Sequence, residues 1–361
     1  MKHGTNYNVQ RYIVQRYRTG TESMCCFFRA RTALVALMFL FSAVTCAQTE
    51  WKDPSKHSVQ FVTVQPSVRL EVLDWGGSGR AVVLLAGYGN SAHVFDEFAE
   101  KLSETNHVYG ITRRGFGSSS RPDFGYEMER LAADVLGVLD SLGIVAPVLA
   151  GHSYAGKEMT ILGKRSERIA GLIFLDALSD PTYDWSEHDA IGNRLPPERY
   201  PSPRPPRGEN HPSFEEYMAW QRVGRRAPFP ESELRATWGT LPNGRMGGPP
   251  DTPAIREAVK NGMMRKPDYA SIRVPALALA AYPPLFEEQL QEYELRNDQD
   301  RQAVEDLYAA DQKYLKQFIS DFQSVQPAAR VIKMIGASHH IFISNQADVL
   351  FEMRSFMSRL H

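Results

Sequence analysis

The chain has 361 residues, 43% hydrophobic and 23% charged, with 41 basic and 42 acidic side chains and a formal net charge of −1. That composition excludes a disordered chain, a collagen and a disulfide-framework miniprotein, and so balanced a charge offers no footprint for nucleic acid. The three cysteines, Cys25, Cys26 and Cys46, all fall within the first 46 residues, so the rest of the chain has neither a disulfide scaffold nor a thiolate zinc site.

Residues 33–44 form an apolar run, preceded by Arg29 and Arg31 and followed by the small residues Thr45, Cys46 and Ala47. A basic flank, a short apolar stretch and a small-residue exit are the parts of a secretory signal peptide. The run is shorter than the roughly 18–20 apolar residues that cross a bilayer. Residues 1–47 are therefore expected to be a leader cleaved after Ala47, started at Met1 or Met24; a lipoprotein reading at Cys46 is weaker because Thr45 is a poor residue before the cysteine. The leader holds six Lys/Arg and one acid, so what remains carries 35 basic and 41 acidic side chains, a net charge of −6. The expected mature protein is exported, periplasmic or secreted, free of cysteine and without a stable membrane span.

Beyond the leader, residues 59–64 and 68–75 are β-rich and flank Gln65-Pro66-Ser67, which predicts an antiparallel hairpin. Residues 81–86 are a continuous apolar run, as in a strand buried on both faces. Residues 93–104 read as a helix, 107–112 as a strand, 128–142 as a helix, 147–150 as a strand, 155–165 as a helix and 169–175 as a strand. This alternation implies a mostly parallel sheet with helices on both faces. It stops near Asp180. Residues 181–270 are rich in proline and glycine, with helical patterns at 213–226, 231–238 and 253–265 and the aromatic residues Tyr217, Trp220, Phe229 and Trp238. Candidate helices inside such an insertion favour a lid over a linker. The α/β pattern resumes with a strand at 273–281, a helix at 301–322, a strand at 330–335 and a helix at 346–359. The expected organisation is a leader (1–47), a core in two parts (48–180 and 271–361) and a lid (181–270).

Gly151-His152-Ser153-Tyr154-Ala155-Gly156 follows an apolar strand and opens a helix. A serine on such a sharp turn is held with its Oγ above the sheet, and small residues two before and two after let strand and helix pass closely. The second small position here is Ala155, with Gly156 next. At this point the chain, from about residue 60 to 358, resembles the α/β-hydrolase fold with a lid. Leu85-Ala86-Gly87-Tyr88-Gly89 is similar to that family's oxyanion turn, with Ala86 in place of the usual histidine. Residues 112–119, Thr-Arg-Arg-Gly-Phe-Gly-Ser-Ser, resemble its loop after the fourth strand, and Gly336-Ala337-Ser338-His339 resembles the turn bearing its catalytic histidine.

The resemblance implies a nucleophile, Ser153, and a general base, His339, with His340 as a lining residue and His152 structural. Histidine suits the task because its pKa lies near working pH. The family's usual acid position after the seventh strand holds no carboxylate until Glu287 and Glu288. Asp176, which ends the sixth strand, keeps the order Ser…Asp…His and is placed ahead of Glu287, with Asp180 third; capping alone is the competing role for Asp176. The oxyanion hole is expected from the backbone N–H groups of Tyr88 and Tyr154.

No metal or other cofactor is required, since H-E-x-x-H, a Cys/His cluster, an EF-hand loop and a P-loop are all missing from the sequence. The expected function is an exported serine hydrolase, a carboxylic-ester hydrolase in the first instance, acting on an ester or amide bond of a small molecule through an acyl-enzyme. The alternatives are peptidase, acyltransferase, cofactor-free haloperoxidase-like or C–C hydrolase chemistry, or a non-catalytic binding module on the same scaffold. A serine at the elbow argues against dehalogenase and epoxide-hydrolase chemistry, since those relatives carry aspartate there. Neither a nucleic-acid partner nor a particular oligomeric state is implied.

Overall fold

Eight strands form one sheet in the order β1-β2-β4-β3-β5-β6-β7-β8. They are β1 (Ser58–Gln65), β2 (Val68–Gly76), β3 (Ala81–Leu85), β4 (His107–Ile111), β5 (Val148–His152), β6 (Gly171–Leu175), β7 (Ala276–Tyr282) and β8 (Arg330–Ile335). The computed structural model describes residues 51–165, 167–199, 212–224, 227–248 and 253–360. The expected leader with its cysteines lies outside the described residues, as do Arg225, Arg226 and most of the proline-rich stretch 196–212. The chain divides into Met1–Pro54 and Ser55–His361, and the second unit carries the fold.

β1 and β2 pair antiparallel, as do β2 and β4; every pairing from β4 through β8 is parallel. The apolar runs explain the parallel part. Val82 and Leu84 pack on one face of the sheet while Val83 and Leu85 pack on the other, and β6 is buried at all five positions. A strand covered on both faces has no polar side to alternate. β1, at the sheet edge, leaves Val59 and Phe61 exposed.

The helices are α1 (Asp96–Leu102), α2 (Met128–Leu142), α3 (Ala155–Leu162), α4 (Ser186–Gly192), α5 (Phe214–Gly224), α6 (Glu231–Trp238), α7 (Pro253–Met263), α8 (Phe286–Leu290), α9 (Asp298–Val325), α10 (Ile341–Ser344) and α11 (Gln346–Met357). α2 buries Leu131, Val135, Val138 and Leu139 along one stripe and ends at Gly143, whose φ of 63° lets its N–H turn back to the carbonyls of Leu139 and Asp140. Among the described residues no helix is long and apolar enough to cross a membrane.

Three expectations shift in detail. Residues 93–104 are not one helix: Ser91 accepts from the His93 N–H and starts a short 3₁₀ turn, Ala92–Phe95, before α1 begins. β7 begins at Ala276, not Arg273, because Pro275 has no N–H for a ladder. α9 reaches back to Asp298, where the Asn297 side chain accepts from the Asp300 N–H as a cap. The segment between β6 and β7 carries α4 to α7. Phe214, Tyr217, Phe229 and Leu234 from it join Val94 and Phe95 of the core, while Ile255 and Val259 of α7 join Tyr126, Met128 and Tyr154.

Candidate active site

The strand order reverses between β3 and β5, since β4 lies on the far side of β3. In an open parallel sheet the crevice beyond the carboxyl ends of the strands at such a reversal is where ligands bind. Two turns meet there. Gly87 to Asn90 follows β3, with the Asn90 N–H donating to the Gly87 carbonyl at 3.4 Å and Gly89 at φ 79°. The elbow follows β5. A Cβ on Gly87 would lie 2.7 Å from His152 Nδ1 and 3.3 Å from Ser153 Cβ, so only glycine lets the two turns come this close.

Ser153 sits at φ 51°, in the left-handed region that a non-glycine residue rarely adopts. Its N–H donates to the Leu175 carbonyl at 3.3 Å, and its carbonyl accepts from the Gly156 N–H at 3.0 Å. The small residues around it have separate tasks. A Cβ on Gly151 would meet Met159 Sδ at 2.8 Å and the Ala155 methyl at 3.0 Å; one on Gly156 would lie 2.3 Å from the Ala177 carbonyl oxygen. The close approach expected two residues after the serine is thus shared between Ala155 and Gly156.

Asp176 is the corresponding residue one strand over. His152 of β5 pairs with Leu175 of β6, so Ser153 and Asp176 follow paired residues. Asp176 is also left-handed, at φ 47°. Its N–H donates to the Leu279 carbonyl at 2.7 Å, and its Oδ1 accepts from the Ala281 N–H at 2.9 Å. That anchoring aims Oδ2 at His339, whose Nδ1 lies 2.6 Å away, a charge-assisted distance.

His339 stands on a turn set by Gly336, at φ 71°, whose N–H donates to the Tyr282 carbonyl at 2.9 Å. The His339 carbonyl in turn accepts from His152 Nε2 at 2.9 Å. Burial, then the neighbouring His339, holds the His152 pKa well below its usual value, so His152 is a neutral donor that ties the elbow to the histidine turn. His340 is buried, 3.5 Å from Asn90 Oδ1 and edge-on to Phe229. Glu287 is on α8, its side chain 75% exposed and 3.7 Å from Arg301. Asp180 pairs with Lys266 at 2.6 Å. Of the carboxylates weighed, Asp176 is therefore the one in hydrogen-bond contact with His339.

Tyr154 is buried and Tyr88 partly so, with ring centroids 6.3 Å apart; Tyr88 also meets Phe116 at 5.7 Å. Two polar devices around this site carry no sequence motif. Arg113 donates through Nε to Glu158 and through Nη2 to the Ala86 carbonyl at 3.0 Å, and its guanidinium lies 5.0 Å from the Tyr154 ring centroid. Burial raises the Glu158 pKa, while Arg113 opposes. Glu233 of α6 accepts from Asn90 Nδ2 at 2.7 Å and from the Ser91 N–H and hydroxyl, joining the inserted helices to the residues that follow Gly89. A surface cleft of about 480 Å³ lined by Arg80, His107 and Tyr109 lies at the starting ends of β3 and β4, the sheet edge opposite the one that carries Ser153.

Comparison with known proteins agrees with this architecture. The curated epoxide hydrolase A of Mycobacterium tuberculosis is 37% identical over 91 residues, 24% of this chain and 28% of its own length. A non-heme chloroperoxidase of Streptomyces lividans is 32% identical over 121 residues, 32% of this chain and 44% of its own length. The chain thus spans less than half of either curated relative. The crystal structure of E-2-(acetamidomethylene)succinate hydrolase superposes with a TM-score of 0.59 at 17% identity, covering 84% of this chain and 99% of that one, a likeness of fold. The alpha/beta hydrolase family model matches residues 82–352, from β3 into α11, and with the sheet and both turns described above it makes this chain a member of the α/β hydrolase family.

Proposed function

We propose that the chain is a serine hydrolase of small esters or amides, with Ser153 as nucleophile, His339 as general base and then acid, and Asp176 as the acid that orients it. The observation that carries this is the 2.6 Å contact between Asp176 Oδ2 and His339 Nδ1 at the strand end next to Ser153. With Nδ1–H donated to Asp176, the proton-accepting nitrogen of His339 is Nε2. Ser153 Oγ attacks the carbonyl carbon as Nε2 takes its proton. The backbone N–H groups of Tyr88 and Tyr154 receive the oxyanion, and the imidazolium returns the proton to the leaving oxygen or nitrogen. Water then repeats the sequence on the acyl-enzyme. Tyr88, Phe116 and Tyr154 give the acyl side an aromatic lining, and α5 to α7 act as the lid. The aspartate–histidine contact also speaks against a non-catalytic binding module.

Hydrolysis of short acyl nitrophenyl esters, together with fluorophosphonate labelling, tests the reading. Labelling that is lost in Ser153→Ala, with turnover falling to background, is expected; equal labelling and turnover in Ser153→Ala refutes it. Export belongs to the same proposal, supported by the basic flank and apolar run at 33–44. N-terminal sequencing of the protein recovered from outside the cytoplasm is expected to begin at Gln48.

A further inference from the structure

A second cluster of chemistry-bearing side chains lies outside the catalytic groups. His57 precedes β1, His93 lies in the 3₁₀ turn after the Gly87–Asn90 turn, and Asp96 opens α1. Their ligating atoms lie within 4.8 Å of one another. The Asp96 carboxylate stands between two imidazole nitrogens: Oδ1 is 2.9 Å from His57 Nδ1, and Oδ2 is 3.2 Å from His93 Nδ1. The two imidazole rings are 5.0 Å apart, centroid to centroid. Asp96 is only 4% exposed, and its two carboxylate oxygens each face one imidazole nitrogen.

We propose that His57, His93 and Asp96 bind one divalent transition-metal ion of the zinc class, a structural site that ties the start of the sheet to α1 and the inserted helix α6. Two further observations favour it. Zinc bonds of about 2.0–2.2 Å at angles near 90–110° give ligand-to-ligand edges of about 2.9–3.5 Å, which brackets both nitrogen–oxygen separations. The surroundings supply the outer contacts that metal ligands need: His93 Nε2 faces Glu71 Oε1 at 3.7 Å, and the Ser232 hydroxyl of α6 donates to Asp96 Oδ2 at 2.5 Å. Two imidazoles and one carboxylate suit zinc better than magnesium or calcium, which prefer all-oxygen sites. Water completes the coordination.

The full chain, stripped with a chelator, is titrated with Zn²⁺ by calorimetry and melted with and without the ion. One Zn²⁺ per chain is expected, with a melting temperature that climbs as free Zn²⁺ exceeds Kd. His57→Ala and Asp96→Asn should each weaken the affinity by about 100-fold or more, and Glu71→Gln by about 10–100-fold. His107→Ala, which removes a separate His–carboxylate pair at the start of β4 (His107 Nε2 to Asp74 Oδ1, 2.9 Å), should leave it unchanged. No saturable uptake, uptake that survives both His57→Ala and Asp96→Asn, or uptake lost in His107→Ala overturns the proposal. Should a variant fail to fold in chelator, X-ray absorption of the zinc-loaded wild-type chain decides instead: two imidazole ligands are expected, and fewer than two overturns it.

Discussion

Glu233→Gln isolates the joint between the inserted helices and the turn beside Ser153. Glu233 is 1% exposed and accepts from Asn90 Nδ2 and from the N–H and hydroxyl of Ser91. Burial pushes its carboxyl up from 4.5 to about 7, outweighing the hydrogen bonds from Ser91 and Asn90 and the charge of His93. A folded-state pKa raised above the unfolded one contributes stability that is fully present below about 4.5 and is lost as pH rises through about 7. The span between those two values amounts to about 3 kcal/mol. Glutamine keeps the size of the side chain and does not titrate. Urea denaturation of the wild-type chain and Glu233→Gln, from about pH 4 to about pH 8, should therefore show the wild type losing about 3 kcal/mol relative to the variant, between about pH 4.5 and about pH 7, and little beyond. The contributions of other groups cancel in the difference. A stability difference that stays flat across that range would refute the assignment of Glu233 as a carboxyl buried beyond its hydrogen-bond compensation.

Asp176→Asn should cut kcat for an acyl nitrophenyl ester by about 10⁴-fold, because the amide no longer fixes the imidazole tautomer or balances its charge, while Glu287→Gln, at an exposed position, should turn over as wild type; the reverse pattern would move the acid to α8. Gly156→Ala places a methyl 2.3 Å from the Ala177 carbonyl oxygen and should cost about 1–3 kcal/mol of stability, so an unchanged urea midpoint would contradict the close packing of α3 on the loop after β6. Arg113→Met leaves the buried Glu158 carboxylate without its cation and should cost about 3–5 kcal/mol. Adding Glu158→Leu should restore most of that, and a double variant no better than the single would show that Arg113 acts through packing on Tyr154 instead.

Much of the frame was readable because burial leaves a pattern. β3, β6 and β7 are uninterrupted apolar runs because both faces of the sheet are covered, and α2 and α6 match their expected limits because their apolar positions recur at helical spacing. The elbow was readable for a related reason: a strained turn between strand and helix demands small residues at fixed offsets, and Gly151, Ala155 and Gly156 supply them. α4 and α8 were missed because seven and five residues are too few to establish a period. The polar joints were missed for a different reason. Glu233 meets Ser91 across 142 positions, and Arg113 meets Glu158 across 45. A contact between two side chains so far apart imposes nothing on the residues between them, so it has no spacing to read. His57, His93 and Asp96 likewise fit no metal motif, because His57 joins His93 and Asp96 from a separate segment.

The position of Asp176 at the end of β6 divides the molecule in a way that bears on its divergence. Ser153 and Asp176 both lie before the inserted helices, on neighbouring strands held in register by backbone pairing, and only His339 arrives from beyond them. A carboxylate after β7 would instead have been separated from Ser153 by the whole insertion, so that any change in length there would have tugged on two of the three side chains. Here the inserted helices can be lengthened, shortened or exchanged while the strand pairing that holds Ser153 and Asp176 stays put. Descendants of such a chain are free to vary the insertion without disturbing that pair.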